Sequence, residues 1–231
     1  MKTNSSQCVC VIGARKGSKR FPGKNKSLLH GKPLSSIAIE VAQEADIFKN
    51  ILFSTDDDIF NNLKNQSGVI LNNRPKHLAG DNISMWEVGI YLLEHYKSLI
   101  GNPLSLCFIS PCHPFRTAKH LLDAYNLFVE KEATSLVSLT KFPCPPELAV
   151  EVNNQIIYRK WNGLVRKEEH STKYFLNGAI TFVKTDYFIR NNGVFSSDTI
   201  AYEMSWPDCL DIDYKEDFMI AQRLAPIIGR E

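Results

Sequence analysis

The sequence predicts an α/β protein, a mostly parallel sheet with helices on both faces, and three features carry that expectation. Short apolar runs alternate with amphipathic stretches, the rhythm of strand, crossover helix and parallel strand. At 231 residues, the chain exceeds the usual single-domain size but fits one α/β layer structure with an appendage. With 44% hydrophobic and 23% charged residues it can bury a substantial core.

The elements follow in order. CVCVIGA (8–14) is the first strand and PLSSIAIEVAQEA (33–45) the first helix. NILFSTDD (50–57) and GVILN (68–72) are strands, and SMWEVGIYLLEHYKSLI (84–100) is a long helix. Then come the strand LSLCFISP (104–111), the helix TAKHLLDAYNLFVEKE (117–132) and the strand TSLVSLT (134–140). Two helix starts are marked. Ser84 and Glu87 have capping-box spacing, and Thr117 follows the turn-like SPCHPFR, so each offers an oxygen to orphan N–H groups. From Phe142 to about Phe175 the pattern breaks, with Pro143, Pro145 and Pro146, the short strands AVEV and QIIY, and the polar WNGLVRKEEHSTK. This reads as an inserted arm at about 142–175, a lid or a contact with another subunit, within a single domain spanning 1–231. The rhythm returns at NGAITFV and ends in a helix from about Lys215.

A net charge of +2 is too small for a nucleic-acid footprint, so an anionic partner must meet local basic clusters. The apolar stretches fall short of the roughly 18–20 residues of a membrane span, and the N-terminus lacks a signal peptide's order. The six cysteines show neither ligand spacing nor a disulfide framework. A reducing, cytoplasmic setting without membrane or nucleic-acid partners is expected.

Chemistry concentrates first in RKGSKRFPGKN, Arg15 to Asn25, directly after the first strand. Its glycines let backbone N–H groups approach an anion, and Arg15, Lys16, Lys19, Arg20 and Lys24 supply charge for phosphate oxygens. It matches neither the P-loop pattern nor the dinucleotide GxGxxG; a solvated basic loop is the plainer reading. Next, Asp211 and Asp213 in LDIDYKED point to one face of an extended chain, where both carboxylates reach one hard cation such as Mg²⁺. Equally, Asp213 could cap the following helix with Glu216. NNRPKHLAGDNIS suits base recognition or an ordinary loop, and STDDD reads as a helix-start cluster. His113, at a predicted strand's carboxyl end, has a structural or substrate-contact role.

Taken together, these segments resemble the acylneuraminate cytidylyltransferases, the CMP-sialic acid synthetase family. ARKGSKRFPGKN matches that family's ARxGSKxxPxKN signature. STDDD, RPKHLAGD, PCHPFR, NGAI and DIDYKEDF follow in the family's order, so the resemblance spans essentially the whole chain. It implies a Rossmann-like nucleotide-diphospho-sugar transferase fold with a small dimerisation arm. It also implies a homodimer, and transfer of CMP from CTP to a nonulosonic acid with Mg²⁺ as cofactor and release of pyrophosphate. By resemblance, Arg15 and Lys24 neutralise the triphosphate, Asn25 contacts the ribose, and Arg74 with the LAGDNIS stretch, including Asp81 and Ser84, surrounds the cytosine. Ala14, Gly17 and Ser18 of the signature join these nucleotide contacts, and Asp211 and Asp213 hold Mg²⁺. Ser110, His113 and Asn177 fall on the sugar side.

The sugar side departs from the pattern. Ser110 stands where the family's turn carries a glutamine, and a serine is shorter with fewer hydrogen-bonding atoms. Phe175 and Leu176 precede NGAI where relatives often carry a basic residue. A modified acid of the legionaminic or pseudaminic type is therefore an expected acceptor. The runner-up readings are a Kdo cytidylyltransferase, an enzyme using another nucleotide, or an inactive nucleotide or sugar sensor.

Overall fold

A computed structural model describes residues 7–159 and 171–228. Much of the charged stretch WNGLVRKEEHSTK lies outside the described residues.

The chain runs β1 (Cys8–Gly13), β2 (Leu28–Leu29), β3 (Lys32–Pro33), α1 (Leu34–Glu44), β4 (Asn50–Thr55), β5 (Val69–Asn73), α2 (Met85–His95) and α3 (Lys97–Ile100). It continues through β6 (Ser105–Ile109), α4 (Ala118–Glu130), β7 (Ser135–Lys141), β8 (Val150–Asn153), β9 (Ile156–Arg159), β10 (Tyr174–Lys184), α5 (Thr185–Asn191), β11 (Ile200–Glu203) and α6 (Lys215–Leu224). Seven strands form one sheet in the order β11-β7-β10-β6-β1-β4-β5, and β10 alone among them runs antiparallel to its neighbours. The expected α/β architecture is therefore present.

Alternation along β1 builds a core on each face of the sheet. Cys8, Cys10 and Ile12 pack with α1 and α4, whereas Val9 and Val11 pack with α2 and Phe188 of α5. Buried among apolar neighbours, Cys8, Cys10 and Cys107 act as small hydrophobes, and burial pushes the Cys8 thiol up to about 12.

Both marked helix starts form. Ser84 and Glu87 complete a capping box on α2, and Thr117 accepts from the backbone of His120 at the start of α4. The expected helix 84–100 divides at Tyr96, whose backbone leaves the α-helical region before the short α3. Asp57 caps a 3₁₀ turn over 58–65, as the helix-start reading of STDDD required. The expected cap at Asp213 shifts by one residue. Asp217, not Glu216, accepts from the backbone N–H of Asp213 at 3.0 Å and of Tyr214 at 2.8 Å.

AVEV and QIIY become the hairpin β8–β9, turned by Asn154 and Gln155, both at positive φ. All eight strand residues of this hairpin are exposed.

Candidate active site

Connectivity creates the site. The chain passes from β1 to β4 and β5 on one side, then crosses to β6 on the other side of β1. Loops leaving the carboxyl ends of β1 and β6 diverge there and open a crevice, the place where ligands of such sheets bind. The basic loop after Gly13 lies in that crevice.

Its backbone is tied down from behind. Ala14 N–H donates to Ser54 O at 2.9 Å, Thr55 Oγ1 donates to Ala14 O at 2.6 Å, and Lys16 N–H donates to Asp56 Oδ1 at 2.6 Å. Asn25 Nδ2 donates to Arg15 O at 2.9 Å and closes the loop on itself. Asp56 belongs to the STDDD run, read from the sequence only as a helix-start cluster. Asp56 also anchors the loop's far side. Parallel pairing of β1 with β4 brings both strand ends together.

One cleft of about 490 Å³ is lined by Arg15, Ser18, Lys24, Asn25, Arg74 and Asp81, together with Lys19, Arg20, Met85 and Cys112. Three residues expected at the nucleotide contribute differently. Ala14 is fully buried and acts through its backbone, Gly17 has open space around it, and Ser84 is engaged by Glu87. Two carboxylates hold the cations. Asp81 accepts from Arg15 at 2.7 Å and also pairs with Lys19; these partners, Lys19 first, hold its carboxyl below the usual range. Asp213 takes Arg20 at 2.8 Å and Lys24 at 3.3 Å.

Lys24 is nearly buried, and its ammonium also donates to Ile212 O at 2.6 Å. Burial acts to lower its pKa, but the nearby Cys112 thiol and Asp213 raise it overall, so the charge is retained. Arg74 is likewise buried, donating through Nε to Ser54 Oγ at 3.1 Å and through NH2 to Ser54 O at 2.9 Å. Gly13 makes room for it: a Cβ there would lie 2.9 Å from Arg74 NH2 and 2.6 Å from Met85 Cε.

Asp211 and Asp213 flank Ile212, which is fully buried against Phe115 and α6 and donates its N–H to Cys112 O at 2.9 Å. The buried middle residue turns both carboxylates away from the core. Asp211 is exposed as a residue, yet lost hydration at its carboxyl, then the Asp213 charge, raise it to about 6. A divalent cation would relieve that crowding, and two carboxylates are hard oxygen donors of the kind Mg²⁺ takes. The donor set fits the ion the resemblance implies.

Of the residues expected on the sugar side, Asn177 opens a bulge in β10, with Gly178 at φ +72°. Asn177 Oδ1 accepts from Ser138 Oγ at 2.5 Å and Ala179 N–H at 3.1 Å. His113 is not presented to the cleft. It is buried against Asn177 O at 2.8 Å, and burial, then Arg116, lower its pKa to about 3, so the ring is neutral and structural. Arg116, which the sequence reading did not single out, is buried and donates to Ser110 O at 3.1 Å and Ala179 O at 3.0 Å. It joins the end of β6 to the bulge. Ser110 itself lines an apolar cavity with Trp86, Phe108 and Leu176.

Residues 9–223 match the family model described as cytidylyltransferase. The chain is 27% identical to an N-acylneuraminate cytidylyltransferase of Escherichia coli, over 94% of its own length and 51% of the relative's. It therefore spans about half the length of that relative. It is also 27% identical to a CMP-N,N′-diacetyllegionaminic acid synthase of Campylobacter jejuni, covering 95% of each chain. In fold it resembles a CMP:2-keto-3-deoxy-manno-octonic acid synthetase complexed with CTP, at TM-score 0.68 and 16% identity, covering 96% of this chain and 99% of that one. Among the described residues, no helix is long and apolar enough to cross a membrane.

Proposed function

The chain belongs to the cytidylyltransferase family, and we propose that it transfers CMP from CTP to the anomeric hydroxyl of a nonulosonic acid, releasing pyrophosphate with Mg²⁺ as cofactor. The observation that carries this reading is the convergence of Arg15, Lys19, Arg20 and Lys24 in one cleft beside the Asp211–Asp213 pair.

In the proposed step the acceptor oxygen bonds to the α-phosphorus as the bond from that phosphorus to the bridging oxygen of pyrophosphate breaks. The acceptor proton leaves to solvent or a carboxylate. Such chemistry is largely positioning and charge neutralisation. Lys24, fixed by Ile212 O and Asp213, holds a permanent charge at the deep end of the cleft. Arg15 and Lys19 swing from Asp81 onto phosphate oxygens, and the buried Arg74 guanidinium borders the base. Asp211 and Asp213 would hold Mg²⁺, which would supply Lewis-acid stabilisation of the phosphate charge.

The reading extends to a homodimer built through the arm. Its support is the hairpin's apolar exposure, with Val152 65% and Ile157 62% exposed, more than an isolated hairpin leaves open to water without cost. The fold likeness to an octonic acid synthetase keeps an eight-carbon acid as the second reading.

Pyrophosphate release measured with each of four nucleoside triphosphates against eight- and nine-carbon ulosonic acids tests all of this. Release is expected with CTP and a nonulosonic acid, and Asp211→Asn is expected to abolish it. Preference for another triphosphate, for the eight-carbon acid, or CTP binding without turnover of any acid would refute the reading, the last in favour of a sensor.

A further inference from the structure

We propose that Lys141, at the carboxyl end of β7, reads the acceptor's carboxylate in the cavity beside Asp211. The inference rests on the nonulosonic-acid reading above and names the residue that makes the acceptor an acid.

Two cavities lie near the nucleotide cleft, one through Gly13 and Met85 and the other through Asp211, two residues from the Asp213 that pairs with Arg20 and Lys24 of the cleft. The first, of about 240 Å³, shares Gly13 and Met85 with the cleft and is walled by Trp86, Phe108, Val194 and Phe195, with no ionisable side chain in its lining. A carboxylate placed there would lose water and gain no counter-charge. The second, of about 500 Å³, is bordered by Asp211, Asn177, Phe175, Trp206 and Lys141, and Lys141 is its one cation among the described residues. Leu176 lines both, so one acceptor can rest its apolar substituents on the first and its charged end in the second.

Lys141 is free to respond. Its side chain is 57% exposed and pairs with Glu203 at 3.1 Å, an exposed contact of the kind that contributes little and exchanges readily. Asn177 adds a second donor: it is 6% exposed, borders the same cavity, and its Nδ2 is buried without a partner in the protein. Sheet register explains why the cation was hard to foresee. Ahead of NGAI, β10 brings the uncharged Tyr174, Phe175 and Leu176, and Tyr174 pairs directly with Lys141 across the antiparallel ladder.

The test measures pyrophosphate release at saturating CTP with N,N′-diacetyllegionaminic acid and with its C1 primary amide. Lys141→Met should raise the KM for the acid about tenfold, the scale of one charge-assisted hydrogen bond at a partly exposed site, with the KM for CTP unchanged. Lys141→Arg should restore most of it, and Glu203→Gln, which frees the ammonium, should lower it. The amide should penalise the wild type far more than Lys141→Met. Equal penalties in both proteins, or a wild-type KM for the acid in Lys141→Met, would overturn the assignment while leaving the transferase reading intact. A wild-type protein that turns over no acid would overturn both.

Discussion

Gly13→Ala is the substitution whose consequence is most sharply drawn by the structure. The added Cβ would overlap Met85 Sδ, lie 2.6 Å from Met85 Cε and 2.9 Å from Arg74 NH2. The thioether can swing away, at an overpacking cost of about 1–3 kcal/mol. Arg74 cannot follow without weakening its bonds to Ser54, and a charged hydrogen bond contributes about 1.5–3 kcal/mol. With each loss partial, the sum is about 2–4 kcal/mol, which lowers Tm by roughly 5–15 °C for a chain of this size. Because Arg74 lines the nucleotide cleft, the KM for CTP should rise as well. Calorimetric melting and CTP titration of Gly13→Ala and of Gly13→Ala with Met85→Ala separate the two contributions. The double variant should recover part of the stability but not the CTP affinity. A single variant that melts within about 2 °C of wild type and keeps its KM would refute the packing argument.

Asp81→Asn should bind CTP and inorganic triphosphate several-fold more tightly, since Asp81 occupies the Arg15 and Lys19 charges that a phosphate would take; the gain should shrink in high salt. A weaker triphosphate Kd would show instead that Asp81 orders the loop. For His113, whose folded pKa of about 3 lies below the ordinary 6.5, the unfolded chain binds the extra proton. Its contribution to stability is therefore present above pH 6.5 and lost as pH falls toward 3. His113→Gln should melt below wild type at pH 7.5, and the gap should narrow as pH falls through 6; a constant gap would contradict a neutral, buried ring.

The alternation of apolar and amphipathic stretches determined the α/β class, and Ser84, Glu87 and Thr117 determined where α2 and α4 begin, because caps and periodicity act through neighbouring residues. The composition of Arg15 to Asn25 likewise marked a basic, glycine-containing loop with the makings of an anion site, since its charges and glycines are contiguous. What depends on distant pairing was not legible. The antiparallel course of β10, the added strand β11 and the division of the long helix at Tyr96 each follow from packing in the folded sheet. The same holds at the site. Asp56 read only as part of a helix-start cluster until β4 beside β1 set it against Lys16, His113 left a structural and a substrate-contact role open until its burial against Asn177 favoured the structural one, and Lys141 comes beside Tyr174 only across the ladder. Local sequence specifies residue chemistry and backbone habit, but which charges share a cavity is decided by strand order and register, which bring together residues far apart in the chain.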